Sequence, residues 1–102
     1  MKIYISGPIT GMKNLNRESF SKAEELLGGI CGVHTVNPFN IQTDDKSWQG
    51  YMKADIAELI KCDYIAMLPG WWHSKGAIVE FLLAKILGIK ILLPLEFGEH
   101  HV

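Results

Sequence analysis

One acid stands in an otherwise apolar stretch of helix, and it is the residue in this chain most able to do chemistry. The run Leu68-Pro69-Gly70-Trp71-Trp72-His73-Ser74-Lys75-Gly76-Ala77-Ile78-Val79-Glu80 ends an apolar strand at Pro69. It then crosses a loop with two tryptophans and opens a helix at Ser74. At 3.6 residues per turn, Gly76 and Ala77 lie one turn before Glu80 and Ala84 one turn after. These small neighbours leave room beside the carboxylate. Neither Lys nor Arg stands three or four residues away, so an intrahelical ion pair does not account for the acid. Ile78, Val79, Phe81, Leu82 and Leu83 predict a mostly buried helix. A buried carboxylate without a partner is costly, and such groups collect at functional sites. The competing reading is that Glu80 points into water.

Other residues offer weaker signals. Asp55 lies at the edge of an apolar stripe formed by Met52, Ile56 and Leu59, where it is either a second acid of a site or part of a solvated face. Asp63 opens a strand and reads as structural. The loop Gly7-Pro8-Ile9-Thr10-Gly11 could cradle a phosphate with its amides or be a plain turn. It matches neither the dinucleotide fingerprint nor the P-loop. Ser74 can cap its helix, bind an anion there, or both. Trp71 and Trp72 can stack on a flat ligand or form a contact between subunits. His73 is a proton shuttle or a surface residue. His34, His73, His100 and His101 lack metal-site spacing, so no metal is expected.

Composition narrows the class. The 102 residues form one domain with a modest core, and 48% are hydrophobic. A net charge of −1 without a basic run gives no footprint for a nucleic acid polymer. Cys31 and Cys62 lack CxxC spacing and read as buried, reduced thiols of a cytoplasmic protein. The N-terminal apolar run breaks at Gly7-Pro8, too soon for a signal peptide. No apolar run reaches the ~20 residues of a membrane span.

The elements that must position these residues follow from periodicity and punctuation. Residues 2–6 form an apolar strand without alternation, covered on both faces. Asn16 is placed as the N-cap of the next helix, with Leu15 and Phe20 as a hydrophobic staple. Phe20, Ala23, Leu26 and Leu27 form its inner face, and Gly28-Gly29 ends it. A short strand spans 33–36, and a polar loop follows over 40–46. Ser47 caps a helix with Met52, Ile56, Leu59 and Ile60 as its core stripe. A third strand spans 63–68. The helix from Ser74 runs to about Leu87, Gly88 closes it, and a fourth strand spans 89–93. The tail, 95–102, carries no clear pattern and is expected to be disordered. The order βαβαβαβ predicts a flavodoxin- or Rossmann-like three-layer αβα fold with a four-stranded parallel sheet in order 2-1-3-4. Ligands then bind at the carboxyl ends of the strands, at the switch point between the first and third. The loops there are residues 7–15 and 69–74.

Four segments carry a resemblance: Ile3-Tyr4-Ile5-Ser6-Gly7-Pro8-Ile9-Thr10-Gly11, Tyr51-Met52-Lys53-Ala54-Asp55-Ile56, Cys62-Asp63, and Ser74-Lys75-Gly76-Ala77-Ile78-Val79-Glu80. Together they resemble the nucleoside 2-deoxyribosyltransferase superfamily, in a small, often phage-borne branch related to the deoxynucleoside 5'-monophosphate N-glycosidases. The resemblance implies that Glu80 is the nucleophile, Asp55 a second catalytic acid, and Tyr4 a hydrogen-bond partner of the nucleophile. It implies that Ser74 meets a 5'-phosphate where transferases carry an aspartate for the 5'-hydroxyl. The substrate would be a nucleoside or nucleotide, held by Ser6, Gly7, Pro8, Ile9, Thr10 and Gly11 on one side. Gly70, Trp71, Ser74 and Gly76 would hold it on the other. Pro8 and Thr10 stand where phosphate-binding members show a serine and an arginine. Relatives also carry a further strand or segment after the fourth strand, which implies a more open site here. No metal or redox cofactor is implied, and a homodimer or larger homo-oligomer is. The activity implied is N-glycoside hydrolysis of a nucleoside or deoxynucleoside 5'-monophosphate, with base exchange as the alternative. A non-catalytic nucleotide-binding or sensing module would use the same pocket.

Overall fold

The computed structural model describes residues 1–93, so the predicted disordered tail lies outside the described residues. The elements are β1 (Lys2–Ser6), α1 (Arg17–Gly28), β2 (His34–Val36), α2 (Trp48–Leu59), β3 (Tyr64–Met67), α3 (Lys75–Leu87) and β4 (Lys90–Leu92). Short 3-10 segments occur at Lys13–Asn16, Pro38–Asn40 and Trp71–His73. All sheet pairings are parallel and the strand order is β2-β1-β3-β4, as the alternation of strands and helices predicts. Among the described residues no helix is long and apolar enough to cross a membrane.

The side-chain alternation of the central strands sorts the core into two layers. On one face Ile3 and Ile5 of β1 meet α1 through Phe20, Ala23 and Leu27, with Ala66 and Leu68 beside them. On the other face Tyr4, Ile65 and Met67 pack with Leu59 and Cys62 at the end of α2 and Ala77 and Ala84 of α3. Period two on a strand therefore sends Tyr4 and Ser6 to the same face, that of α3.

Several local expectations are corrected. Asn16 does not cap α1 with its side chain. Asn14, Leu15 and Asn16 have φ of 52°, 55° and 62°, a left-handed turn that asparagine tolerates better than leucine. The Asn16 amide instead donates to the Pro8 carbonyl at 2.8 Å and ties the first loop down. Leu15 stays exposed, so the predicted staple is not made, and Phe20 packs edge-on against Phe39 with centroids 5.2 Å apart. Leu26 and Ile60, both placed on core stripes, are exposed because each falls outside the narrow arc that meets the sheet. Cys62 is buried but Cys31 is exposed, in the turn after α1. The caps at Ser47 and Ser74 are present, with their hydroxyls accepting from the amides of Gly50 (3.0 Å) and Ala77 (3.2 Å). Asp63 accepts the Lys2 amide at 2.9 Å, which fits its structural reading.

β1 and β3 end at Ser6 and Met67, and the chains stay together one residue further: the Leu68 amide donates to the Ser6 carbonyl at 2.8 Å and Gly7 passes Leu68 closely. A methyl group added at Gly7 would lie 2.7 Å from the Leu68 Cβ, closer than packed carbons can sit. Gly7→Ala is therefore expected to force the two strand ends apart. Overpacking of this kind costs about 1–3 kcal/mol, a fall in Tm of roughly 5–20 °C in a domain this size. Thermal unfolding of the variant measures it, and an unchanged Tm would refute the close approach.

Candidate active site

The site is built from the strand face just described. Glu80 lies on α3 between Ala77 and Ala84, which are 2% and 0% exposed. These alanines do not leave a gap for a ligand, as the spacing suggested. They let α3 settle onto the sheet so closely that Glu80 reaches the end of β1. There the Tyr4 hydroxyl donates to Oε2 at 2.7 Å and the Ser6 hydroxyl donates to Oε1 at 2.7 Å. Glu80 is 5% exposed, Tyr4 0% and Ser6 1%. Both carboxylate oxygens are thus engaged by neutral donors. Among the described residues the only ion pair is Lys61 with Glu58, at and just past the carboxyl end of α2.

Burial without a cation sets the electrostatics. Desolvation pushes the Glu80 carboxyl up from 4.5 to about 7. The hydrogen bonds from Ser6 and Tyr4 pull it back down, and Asp55 pushes it up further. Asp55, half-buried on α2, is pushed up to about 6 by its own desolvation. The Tyr4 phenol is raised well above its usual value, first by burial and then by the charges of Glu80 and Asp55. The structure therefore brings Tyr4, Ser6, Glu80 and Asp55 into one electrostatic group. Two acids that titrate near neutrality, beside each other, can hold one proton and one negative charge between them. That arrangement suits a reaction needing both a carboxylate and a proton donor.

The remaining predicted site residues divide between surface and core. Ser6 was expected to touch substrate, but its hydroxyl is buried on Glu80. Pro8 is buried and Ile9 packs against the α1 layer, so this half of the first loop is anchored. Thr10 and Gly11 are exposed at its tip, in a turn closed by the Met12 amide on the Ile9 carbonyl at 3.2 Å. Gly70 turns the chain at φ 82° into the Trp71–His73 segment. Trp71, read as a platform for a flat ligand or a contact between subunits, is half-buried: it stacks on Phe81 at 4.4 Å between centroids and packs against the core. Trp72 is 55% exposed and His73 is exposed beside it. The Ser74 hydroxyl is occupied as the helix cap, at the same edge of the sheet as the first loop. Gly76 is a contact glycine, since a methyl group there would meet Met52 Sδ at 3.1 Å. It lets α2 and α3 approach, which brings Asp55 toward Glu80.

A shallow depression of about 790 Å³ lies at the opposite, amino-terminal edge of the sheet, against Met1, Ile60, Cys62, Leu87 and Lys90. Its one acid, Asp63, is already used on the Lys2 amide. Tyr4, Ser6, Asp55 and Glu80 are not part of it, so the acid pair and the depression are at different ends of the sheet.

These features define an open, doubly wound α/β domain with a hydroxyl-clamped acid at the carboxyl edge of its central strands. Residues 1–93 match the model of a domain family of unknown function (DUF4406), and the chain belongs to that family. Its fold is also that of a solved 2-deoxyribosyltransferase from the psychrotolerant bacterium Bacillus psychrosaccharolyticus. The superposition covers 91% of this chain and 71% of that one, at a TM-score of 0.71 and 22% sequence identity. A comparison with curated protein sequences found no match.

The raised acid makes stability depend on pH with a definite sign. Folded Glu80 binds its proton more tightly than the unfolded chain does, so its carboxyl favours the fold below pH 4.5. That advantage is lost as pH rises from 4.5 to about 7. At about 1.4 kcal/mol per pKa unit, the full difference is roughly 3 kcal/mol. Glu80→Gln, neutral at every pH, is expected to have a higher Tm than the wild type at pH 8 and a similar one at pH 5. A variant that is less stable than the wild type at pH 8 would show that the carboxylate is stabilising, against this account.

Proposed function

We propose that this protein cleaves the C–N glycosidic bond of a nucleoside or deoxynucleoside 5'-monophosphate, with Glu80 as the nucleophile. The observation that carries this is the pairing of a buried, uncompensated carboxylate with a second acid of raised pKa at the carboxyl edge of the sheet. The fold shared with a 2-deoxyribosyltransferase supports it. In this reading a Glu80 oxygen attacks the anomeric carbon as the bond to the base breaks. The bonding electrons leave with the base nitrogen, which takes a proton from Asp55. The product is a covalent glycosyl-enzyme, as in retaining glycosidases. Asp55, now ionised, deprotonates the water that attacks the same carbon and frees Glu80. Tyr4 and Ser6 hold the carboxylate in place and donate hydrogen bonds to it again as its charge returns. The 5'-phosphate lies toward Ser74, at the amino end of α3, where the helix dipole favours an anion.

Base exchange is the second reading, favoured by the structural likeness to a transferase. Another base then replaces water in the second step. Binding without turnover is a third outcome, to which the occupied state of both Glu80 oxygens lends weight. Incubation with a panel of nucleosides and their monophosphates, followed by chromatography, separates the three. Hydrolysis releases free base, and exchange makes a new nucleoside only when a second base is added. Stabilisation in a thermal-shift screen without either product means binding alone. Glu80→Ala is expected to lower base release by at least a hundredfold, and unchanged release would remove Glu80 from the reaction. Activity should follow a bell-shaped pH profile with its maximum near pH 6–7, because Glu80 must be ionised and Asp55 protonated.

We also propose that the protein is a homo-oligomer. The outer face of α3, expected to be buried, is open in the single chain: Ile78, Leu82 and Ile86 are 36%, 50% and 79% exposed. They recur every four residues and form one apolar stripe. Light scattering is expected to give a dimer or larger species, and Leu82→Glu with Ile86→Glu to give a monomer. A monomeric wild type would refute it.

A further inference from the structure

The proposed reaction needs a surface for the base, and two of the three tryptophans are poorly placed to supply it. Trp71 is committed to Phe81. Trp72 meets Trp71 edge-on, on the exposed side of that pair. The third, Trp48, begins α2. Positions 48, 51, 52 and 55 fall on one face of that helix, so Trp48 and Asp55 share a face. The rise between them is roughly 10 Å, about the length of a nucleoside. Met52, between them, and the Trp48 indole nitrogen both lie against Gly76, with the nitrogen 3.9 Å from where a methyl group would stand. Trp48 therefore rests on the first turn of α3, beside Ser74 and on the side from which Asp55 approaches Glu80. Trp48 as a residue is 42% exposed. One face of its ring is covered by the Lys75 ammonium, 4.6 Å above the centroid. Lys75 is itself exposed, and a lysine ammonium sits on a four-carbon stem that can swing aside, so a flat ligand can take its place on the ring.

We infer that Trp48 is the wall against which the planar base of the substrate stacks, and that it positions the base for Asp55. This rests on the reading given under Proposed function and adds the residue that binds the base. Stacking of this kind tolerates any base, because each offers a π face. Selectivity among bases would then have to come from other residues.

The test compares two ligand types on three proteins. Isothermal titration measures binding of the four deoxynucleoside 5'-monophosphates and of base-free 2-deoxyribose 5-phosphate to wild type, Trp48→Phe and Trp48→Leu. Leu keeps an apolar cover on Gly76 without a ring, and Phe keeps a ring. The expected result is a roughly five- to hundredfold loss of monophosphate affinity in Trp48→Leu. Base-free sugar phosphate should bind as in the wild type, and Trp48→Phe should stay within a few-fold for every ligand. Monophosphate binding unchanged in Trp48→Leu overturns the inference while leaving the proposed function standing. Equal losses for both ligands also overturn it, since they mark a structural role. A wild type that binds no monophosphate overturns both.

Discussion

The Glu80 carboxylate is removed from water, and its immediate partners carry no positive charge. Taking an ionised carboxylate into a protein interior costs several kcal/mol even after relaxation. Here the compensation is two hydroxyl donors at 2.7 Å, one on each oxygen. Hydroxyls satisfy the hydrogen-bonding capacity of the group but do not neutralise it. The charge therefore stays unfavourable enough for the acid to titrate near neutrality, with Asp55 adding to the effect. A lysine in place of either hydroxyl would hold Glu80 ionised and lock it in a salt bridge. Neutral clamping keeps the acid both fixed in direction and available.

That clamp depends on how closely the layers approach. Ala77 and Ala84 let α3 lie flat on Tyr4 and Met67, Gly76 lets α2 come against α3, and Gly7 lets the first loop leave β1 beside Leu68. Larger side chains at these points would lift Glu80 from Tyr4 and Ser6 or move Asp55 away from both. The outer face of α3 was free to be anything, and it is apolar. Its sequence thus reads as hydrophobic all round for two separate reasons: one face meets the sheet, and the other is open in the single chain.

Much of this is legible in the sequence alone. The βαβαβαβ order follows from glycine and proline punctuation and from the switch between strand and helix periodicity. The parallel sheet and its strand order follow from crossover handedness. Ser47, Ser74 and Gly88 marked helix ends correctly because capping is a local property of a few residues. Asn16 failed by the same logic: its role depends on the Pro8 carbonyl, which the first loop brings to it. Leu26, Ile60 and the outer face of α3 failed because hydrophobicity shows which residues avoid water, while the width of the contact arc depends on the neighbouring layer. Ser6 could have been found from its spacing, since it lies two residues from Tyr4 on a strand. Trp71 could not, because its partner Phe81 is ten residues away on another element.

By itself the sequence determined the elements, their order, the edge of the sheet at which loops gather, and the isolation of Glu80 among apolar neighbours. These are consequences of local propensity and periodicity, carried by residues close together in the chain. Only the tertiary structure decided that Glu80 is clamped by Tyr4 and Ser6, separated from it by 76 and 74 positions. It alone decided that Asp55 stands near enough to raise both Glu80 and Tyr4. Desolvation and Coulombic coupling depend on distance in space, and the distances were set by side chains as small as Gly76 and Ala77, whose effect appears only once the layers are packed.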